Sequence, residues 1–187
     1  MNKEVQLTVV GKVFRPNKGK TLALNICLGE YFKAVKFFLS FNSTSKTFLH
    51  KNGYKEVKQL FNLNTALIQI ARDKAVEILR SFNEKKKEGK VKSEKLKLRR
   101  VSIRFDKRCY SFAKTTNVLT PYWLTLSLNR KTRITLPIKF GKRQQKLIEK
   151  ALQGEWEFCR VEMVKRNEEW YAHFVLNSSS ESLSFSN

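Results

Sequence analysis

Tyr122-Trp-Leu-Thr-Leu-Ser-Leu128 and Trp170-Tyr-Ala-His-Phe-Val-Leu176 decide the fold, because in each run apolar and polar residues alternate with period two. Ile134-Thr-Leu-Pro-Ile138 and Cys159-Arg-Val-Glu-Met-Val164 repeat the pattern, and Lys165-Arg-Asn-Glu-Glu169 joins the last pair. Short alternating runs separated by polar turns read as half-buried antiparallel strands. Working outward, Glu4 to Phe14 is a first strand with Val5, Leu7 and Val9 on one face. Gly11 marks a bulge there, after which Val13 and Phe14 resume the pattern. A lone N-terminal strand is not stable by itself, so it is expected to pair with the C-terminal strands.

What lies between is helical. Arg15-Pro-Asn-Lys-Gly-Lys20 breaks the first strand, and Thr21 caps a helix in which Leu24, Leu28, Tyr31, Val35 and Phe38 recur at spacings of three and four. Phe32 and Leu39 widen that stripe. Asn42 to Ser45 reads as a linker, Asn52-Gly53 as a turn, and Tyr54 to Phe61 as a short helical piece. The clearest helix is capped by Asn64 or Thr65 and carries Leu67, Ile70, Ala71, Ala75, Ile78, Leu79 and Phe82 on one stripe. Gln69, Arg72, Asp73 and Arg80 fall off it, where simple solvation explains them.

Lys85 to Arg108 is strongly basic. Its first half reads as a mobile linker; its second half, Val101 to Phe105, re-enters the sheet with Cys109 to Phe112 as hairpin partner. Gln144 to Leu152 is a short helix with Leu147, Ile148, Ala151 and Leu152 inward, stopped by Gly154. The Ser-rich end lacks Lys, Arg and apolar bulk and reads as disordered. The fold class is therefore α+β: an antiparallel β-barrel, wedge or OB-like, with an inserted α-helical bundle. The expected divisions are 1–18 (first barrel strand), 19–92 (helical insertion), 93–177 (remaining barrel) and 178–187 (tail).

Charge narrows the function. Thirty-eight Lys and Arg against 16 Asp and Glu give a formal net charge of +22 and a pI near 10.1. A field of this size implies a polyanionic partner, since neutralising phosphates releases counterions; the bland alternative is a merely soluble, Lys-rich protein. Cys27, Cys109 and Cys159 form no CxxC pair, as in reduced thiols of a cytoplasmic protein without a zinc site. No run reaches membrane-spanning length, so no membrane partner is expected.

Catalysis finds little to stand on. Asp73 and Asp106 are the only aspartates and both sit among bases, whereas a two-metal nuclease needs clustered carboxylates. Glu155, Glu157, Glu162, Glu168 and Glu169 read as surface charge. His50 and His173 lack metal-ligand spacing, and no phosphate-cradling Gly loop or GxSxG elbow occurs. No catalytic residue, metal or cofactor is expected, and the chain reads as a binder rather than an enzyme. Arg130, Lys131 and Arg133 on a tight hairpin suit phosphate contact, and Lys139, Lys142 and Arg143 continue an acid-free stretch. Tyr110, Tyr122, Trp123, Trp170 and Tyr171 either stack on bases or fill the core. His173 either touches a phosphate or packs.

The chain resembles the TnpB family, the OrfB-type proteins of insertion sequences related to compact type V CRISPR effectors. The resemblance spans Glu4 to Leu176. It rests on Arg15-Pro16 after the first strand, on Asn64-Thr-Ala-Leu-Ile-Gln-Ile-Ala-Arg-Asp-Lys-Ala75 and Arg80-Ser-Phe82, and on Arg104-Phe-Asp-Lys-Arg-Cys-Tyr-Ser-Phe112. Ile134-Thr-Leu-Pro-Ile-Lys-Phe-Gly141 and Glu169-Trp-Tyr-Ala-His-Phe-Val-Leu176 are the most specific parts. The resemblance implies a wedge barrel interrupted by a helical recognition domain that grips guide-type RNA and helps read duplex DNA beside a target. It places Thr65, Gln69 and Arg72 on the DNA-facing helix. The basic barrel positions (Arg99, Arg100, Arg104, Lys107, Arg108, Arg130, Lys131, Arg133, Lys139, Lys142 and Arg143) would then face RNA, with Tyr171 and His173 beside them.

The family's next strand opens a RuvC-like nuclease domain with a Gly-x-Asp motif, which has no counterpart here. The expectation is a nuclease-less RNA- and DNA-binding protein, with a nuclease supplied in trans conceivable. The alternatives are a fragment of an active RNA-guided endonuclease and a DNA-binding transcriptional regulator.

Overall fold

The computed structural model describes residues 5–117 and 120–178. Among them the order is β1 (Gln6–Val13), α1 (Lys18–Ser40), α2 (Lys46–Leu60), α3 (Thr65–Lys87), β2 (Ile103–Asp106), β3 (Tyr110–Lys114), β4 (Tyr122–Ser127), β5 (Arg133–Lys139), α4 (Lys142–Leu152), β6 (Trp156–Arg166) and β7 (Glu169–Ser178). The protein is α+β: the strands form one sheet in the order β2-β6-β7-β1-β5-β4-β3, curled into a nearly closed antiparallel barrel. Two compact units result. One holds the chain up to Lys20, Arg104–Leu126 and the part from Ile134 onward; the other holds Thr21–Ile103 and Ser127–Arg133.

In the barrel unit, alternation is the organising force. Leu124 and Leu126 of β4, Val161 and Met163 of β6, and Trp170, Ala172 and Phe174 of β7 are buried between partly solvated or exposed neighbours, except that Val175 after Phe174 is buried too. Phe112 at the β3 edge meets the Phe174 ring at 4.7 Å and the Phe158 ring of β6 at 5.6 Å, so aromatic packing curls the sheet round on itself.

The first strand pairs as expected. β1 lies antiparallel to β7 from Gln6↔Asn177 to Lys12↔Tyr171, and to β5 at Lys12↔Lys139 and Val13↔Ile138. Gly11 is not a bulge. It stays in register opposite Ala172, and glycine is needed because a Cβ there would sit 2.6 Å from Phe140 Cε1 and closer still to Ile138 Cγ2. The irregularity lies at Cys159 instead, where the register slips between Phe158↔Leu176 and Arg160↔Val175.

β2 and β3 are not a hairpin pair either. The chain turns between them, Cys109 N donating to Asp106 O at 3.0 Å, but β2 is hydrogen-bonded to β6 and β3 to β4. Ser178, assigned to the tail by composition, ends β7, and its N–H donates to Val5 O at 2.9 Å. Glu4 and residues 179–187 of the expected first strand and tail lie outside the described residues.

In the helical unit, Asn52-Gly53 proved to be no turn. α2 runs unbroken from a Ser45 cap, and Gly53 is buried where a Cβ would stand 3.0 Å from Phe38 and 3.2 Å from Phe41. The missing side chain lets α2 approach α1, a tertiary demand that overrides the local turn signal. α1 begins at Lys18 rather than after Thr21, with Asn17 Oδ1 accepting from Lys20 N at 2.9 Å. Leu24, Tyr31, Val35 and Phe38 are buried as predicted, joined by Cys27 and Ala34, while Leu28 is half-buried. α3 buries Ile68 and Val76 beyond its predicted stripe, so more than one face is covered. The segment 91–102 has no regular structure, yet Leu96 and Leu98 are half-buried.

Candidate nucleic-acid interface

The β4–β5 hairpin tip is shaped by one asparagine. Asn129 Oδ1 accepts from Lys131 N at 2.9 Å and from Thr132 N at 2.8 Å, while Leu128 N donates to Thr132 O at 2.9 Å. A side-chain acceptor two residues upstream is what closes such turns. Arg130, Lys131 and Arg133 are left exposed, and Arg133 Nε donates to Ser127 Oγ at 3.2 Å. Among the described residues none of the three enters an ion pair.

A second asparagine ties that tip down. Asn64 Oδ1 caps α3 by accepting from Leu67 N at 2.8 Å, and its Nδ2 donates to Ser127 O at 2.6 Å. The first turn of α3, which begins at exposed Thr65, is thereby joined to the basic hairpin. Arg72, one turn on, is not free. Its guanidinium donates to Asp73 Oδ1 at 2.7 and 2.9 Å and lies 3.3 Å from His50 Nδ1, and Lys46 also reaches Asp73. Exposed Thr65 thus follows directly on the residue that holds the Arg130–Arg133 hairpin, Gln69 is half-buried one turn further on, and Arg72 is neutralised locally.

α2 adds cations that pattern reading missed. Lys51, Lys55 and Lys58 are exposed at helical spacing, Lys58 Nζ lies 6.0 Å from the Tyr54 ring centroid, and Tyr54 packs on His50 at 4.6 Å. Their signal was the i, i+4, i+7 repeat, hidden by treating Asn52-Gly53 as a break. Arg99 and Arg100 are exposed with no ion pair among the described residues.

The barrel cations are handled differently. Arg104 is half-buried and donates to Glu162 at 3.1 Å, with Arg160 reaching the same carboxylate at 3.3 Å. Lys107 pairs with Glu157, and Arg108 with Asp106 at 2.6 Å. Burial pushes the Asp106 carboxyl upward, but the hydrogen bonds from Arg108 outweigh it and hold the group below its usual range. Lys114 and the Tyr122 hydroxyl likewise hold Glu149 low. Exposed pairs of this kind are weak, so Lys107 and Arg108 can exchange a carboxylate for a phosphate, but Arg104 sits in a structural pair.

Lys139 takes a different partner: its Nζ lies 4.2 Å above the Phe14 ring, and Arg15 lies 5.3 Å from the same ring. Neither Arg15 nor Phe14 is among the nucleic-acid contacts expected from the sequence. Lys142 and Arg143 are exposed in the first turn of α4, which Gly141 caps without a side chain, so they add to the positive end of that helix.

Of the aromatics, Trp170 is core and Tyr122 is buried. Trp123 is half-buried, its Nε1 donating to Thr120 O at 3.0 Å, and the Tyr171 hydroxyl donates to Glu169 at 2.9 Å. His173 stands opposite Val10 and Glu162, with Nε2 shielded and without a hydrogen-bond partner among the described residues. Burial lowers its pKa, Arg166 adds to that and Glu162 opposes it, so the ring is neutral at pH 7 and ill suited to phosphate. Among the described residues no group of three or more His, Cys, Asp or Glu could hold a metal ion, and no helix is long and apolar enough to cross a membrane. Burial raises the Cys109 thiol to about 12, which makes it an inert core residue.

Residues 24–120 match the model of the Uncharacterized protein MJ0013 family, which takes in most of α1, all of α2 and α3, and β2 and β3. The chain belongs to that family. The matched residues include Asn64, the α2 cations, Arg99 and Arg100, while the β4–β5 hairpin lies beyond them. No curated protein matches the chain.

Proposed function

We propose that this protein binds nucleic acid, holding structured, guide-type RNA and duplex DNA without cutting either, in the manner of the N-terminal half of a TnpB-like protein. In this reading the barrel is a wedge-like platform, and the helices between β1 and β2 are a recognition-type insertion. The observation that carries it is the acid-free hairpin tip, Arg130, Lys131 and Arg133, fastened by Asn64 to the first turn of α3. Fixed, unpaired cations beside a helix end give a phosphate backbone a surface that is positioned in advance.

The alternating barrel with its first strand locked to β7 and β5, and the formal charge of +22, support the same reading. Base discrimination would fall to Thr65 and Gln69, whose side chains donate and accept, rather than to Arg72. The test is a gel-shift titration of purified protein with the RNA that co-purifies with it and with random duplex DNA, each with and without Mg²⁺. Nanomolar to micromolar binding of RNA with no cleavage products is expected. Weak, salt-insensitive binding would overturn the proposal, and metal-dependent cleavage would overturn its binding-only part.

A further inference from the structure

A cleft of about 480 Å³ opens within the helical unit. Leu39 of α1, Leu79 and Phe82 of α3, and Leu96 and Leu98 of the following segment give it an apolar lining. Ser40 and Asn42 contribute polar groups. The Ser40 hydroxyl donates to Phe37 O at 2.7 Å, which leaves its oxygen lone pairs open, and Asn42 is held in a left-handed conformation (φ 47°) with its backbone N–H bonded to Leu39 O. Lys36 and Lys95 supply positive charge against one carboxylate, Glu94.

We infer that this cleft is a nucleotide site that receives one unstacked base of a bound single strand. The inference rests on the nucleic-acid reading above and names where an unpaired nucleotide would go. A nucleobase has two apolar faces, which leucine and phenylalanine side chains cover, and a polar edge, which the Asn42 amide can meet with both a donor and an acceptor. Its phosphate would lie against Lys36 and Lys95. Size agrees, since small-ligand pockets run from roughly 300 to 1,000 Å³. Delivery agrees too: Lys85, Lys86 and Lys87 end α3, and Lys92, Lys97 and Arg99 flank the same segment, so a polyanionic backbone is drawn past the opening. An acyl chain would make no use of Asn42 and Ser40.

The test uses the full chain, isotope-labelled, titrated with adenosine 5′-monophosphate and separately with ribose 5-phosphate, followed by amide chemical shifts. The monophosphate should shift Leu39, Asn42 and Phe82 with an affinity of about 1 mM or tighter, as expected of a single nucleotide. Ribose 5-phosphate should bind at least tenfold more weakly. Lys36→Ala and Lys95→Ala, both at exposed positions, should weaken the nucleotide several-fold with the spectrum otherwise unchanged. Equal response to the two probes, or shifts confined to the Arg130 hairpin, would overturn the site. RNA binding measured on the same sample separates the two readings. Intact RNA binding with no nucleotide response removes the cleft alone, while a nucleotide response without RNA binding keeps the cleft and removes the wider proposal.

Discussion

The two units carry their charge in opposite ways. In the barrel unit every described acidic side chain sits in an ion pair, from Asp106 with Arg108 to Glu169 with Lys12. The helical unit sets twenty-one Lys and Arg against seven Asp and Glu, and among the described residues Glu56, Glu84 and Glu94 pair with none of them. What separates a structural cation from an available one is the position of the acids, which composition does not reveal. Arg104 and Arg130 are the same residue with different jobs. The first is half-buried against Glu162; the second is exposed on a braced turn.

The largest expected effect breaks or keeps that distinction directly. Changing Arg130, Lys131 and Arg133 together to Glu should lower RNA affinity by about a hundredfold or more at moderate salt, since three attractive phosphate contacts become repulsive. The same reversal at Lys107 and Arg108 should cost about tenfold or less, because neighbouring carboxylates already offset those charges. Equal losses in a gel-shift titration would erase the contrast between the units.

Arg104→Ala should act the other way round. It removes a guanidinium partner from half-buried Glu162 and should lower folding stability by roughly 1–3 kcal/mol in urea titration, with RNA affinity for the folded protein nearly unchanged. A variant as stable as the parent but unable to bind RNA would put Arg104 in the interface.

Smaller and more specific is the brace. Asn64→Ser keeps an N-cap oxygen for α3 but loses the reach of Nδ2 to Ser127 O, so thermal stability should hold while RNA affinity drops several-fold. Asn64→Ala should additionally cost about 1 kcal/mol of stability from the lost cap. If Asn64→Ser binds RNA like the parent, the fastening of the hairpin has no functional weight.

The smallest effect belongs to the barrel's outer face. The folded pKa of His173 is below its unfolded value, so the unfolded chain binds more protons as the solution acidifies. Its contribution to stability is full above the ordinary histidine value of about 6.5 and is lost as pH falls from there toward the lower folded value. Denaturation midpoints of the parent should decline over that window more than those of His173→Gln. Parallel curves would show that His173 is not held neutral.

Much of this architecture was legible in the chain. Alternation located β4 to β7, and the need to pair a lone first strand placed β1 beside β7. Asn64 was readable as a cap, and Arg130 to Arg133 as an exposed basic turn. What was not legible is tertiary. Gly53 and Gly11 look like local breaks, yet each is a place where neighbouring side chains leave no room for a Cβ. Taking Asn52-Gly53 for a turn then hid the Lys51, Lys55 and Lys58 stripe. The partition of β2 and β3 to opposite sheet edges depends on β6, more than forty residues away in sequence, and no local signal carries it. The second bond made by Asn64, to Ser127, is likewise invisible without the fold.

The most direct measurement is the salt dependence of RNA affinity for the parent and for the Arg130→Ala, Lys131→Ala, Arg133→Ala variant. If the hairpin meets phosphates, the slope of log K against log salt should become shallower by about 2 in the variant, close to 0.7 per lost contact on a single strand. An unchanged slope with folded protein would mean that the hairpin touches no phosphate, and binding through the braced surface would be contradicted.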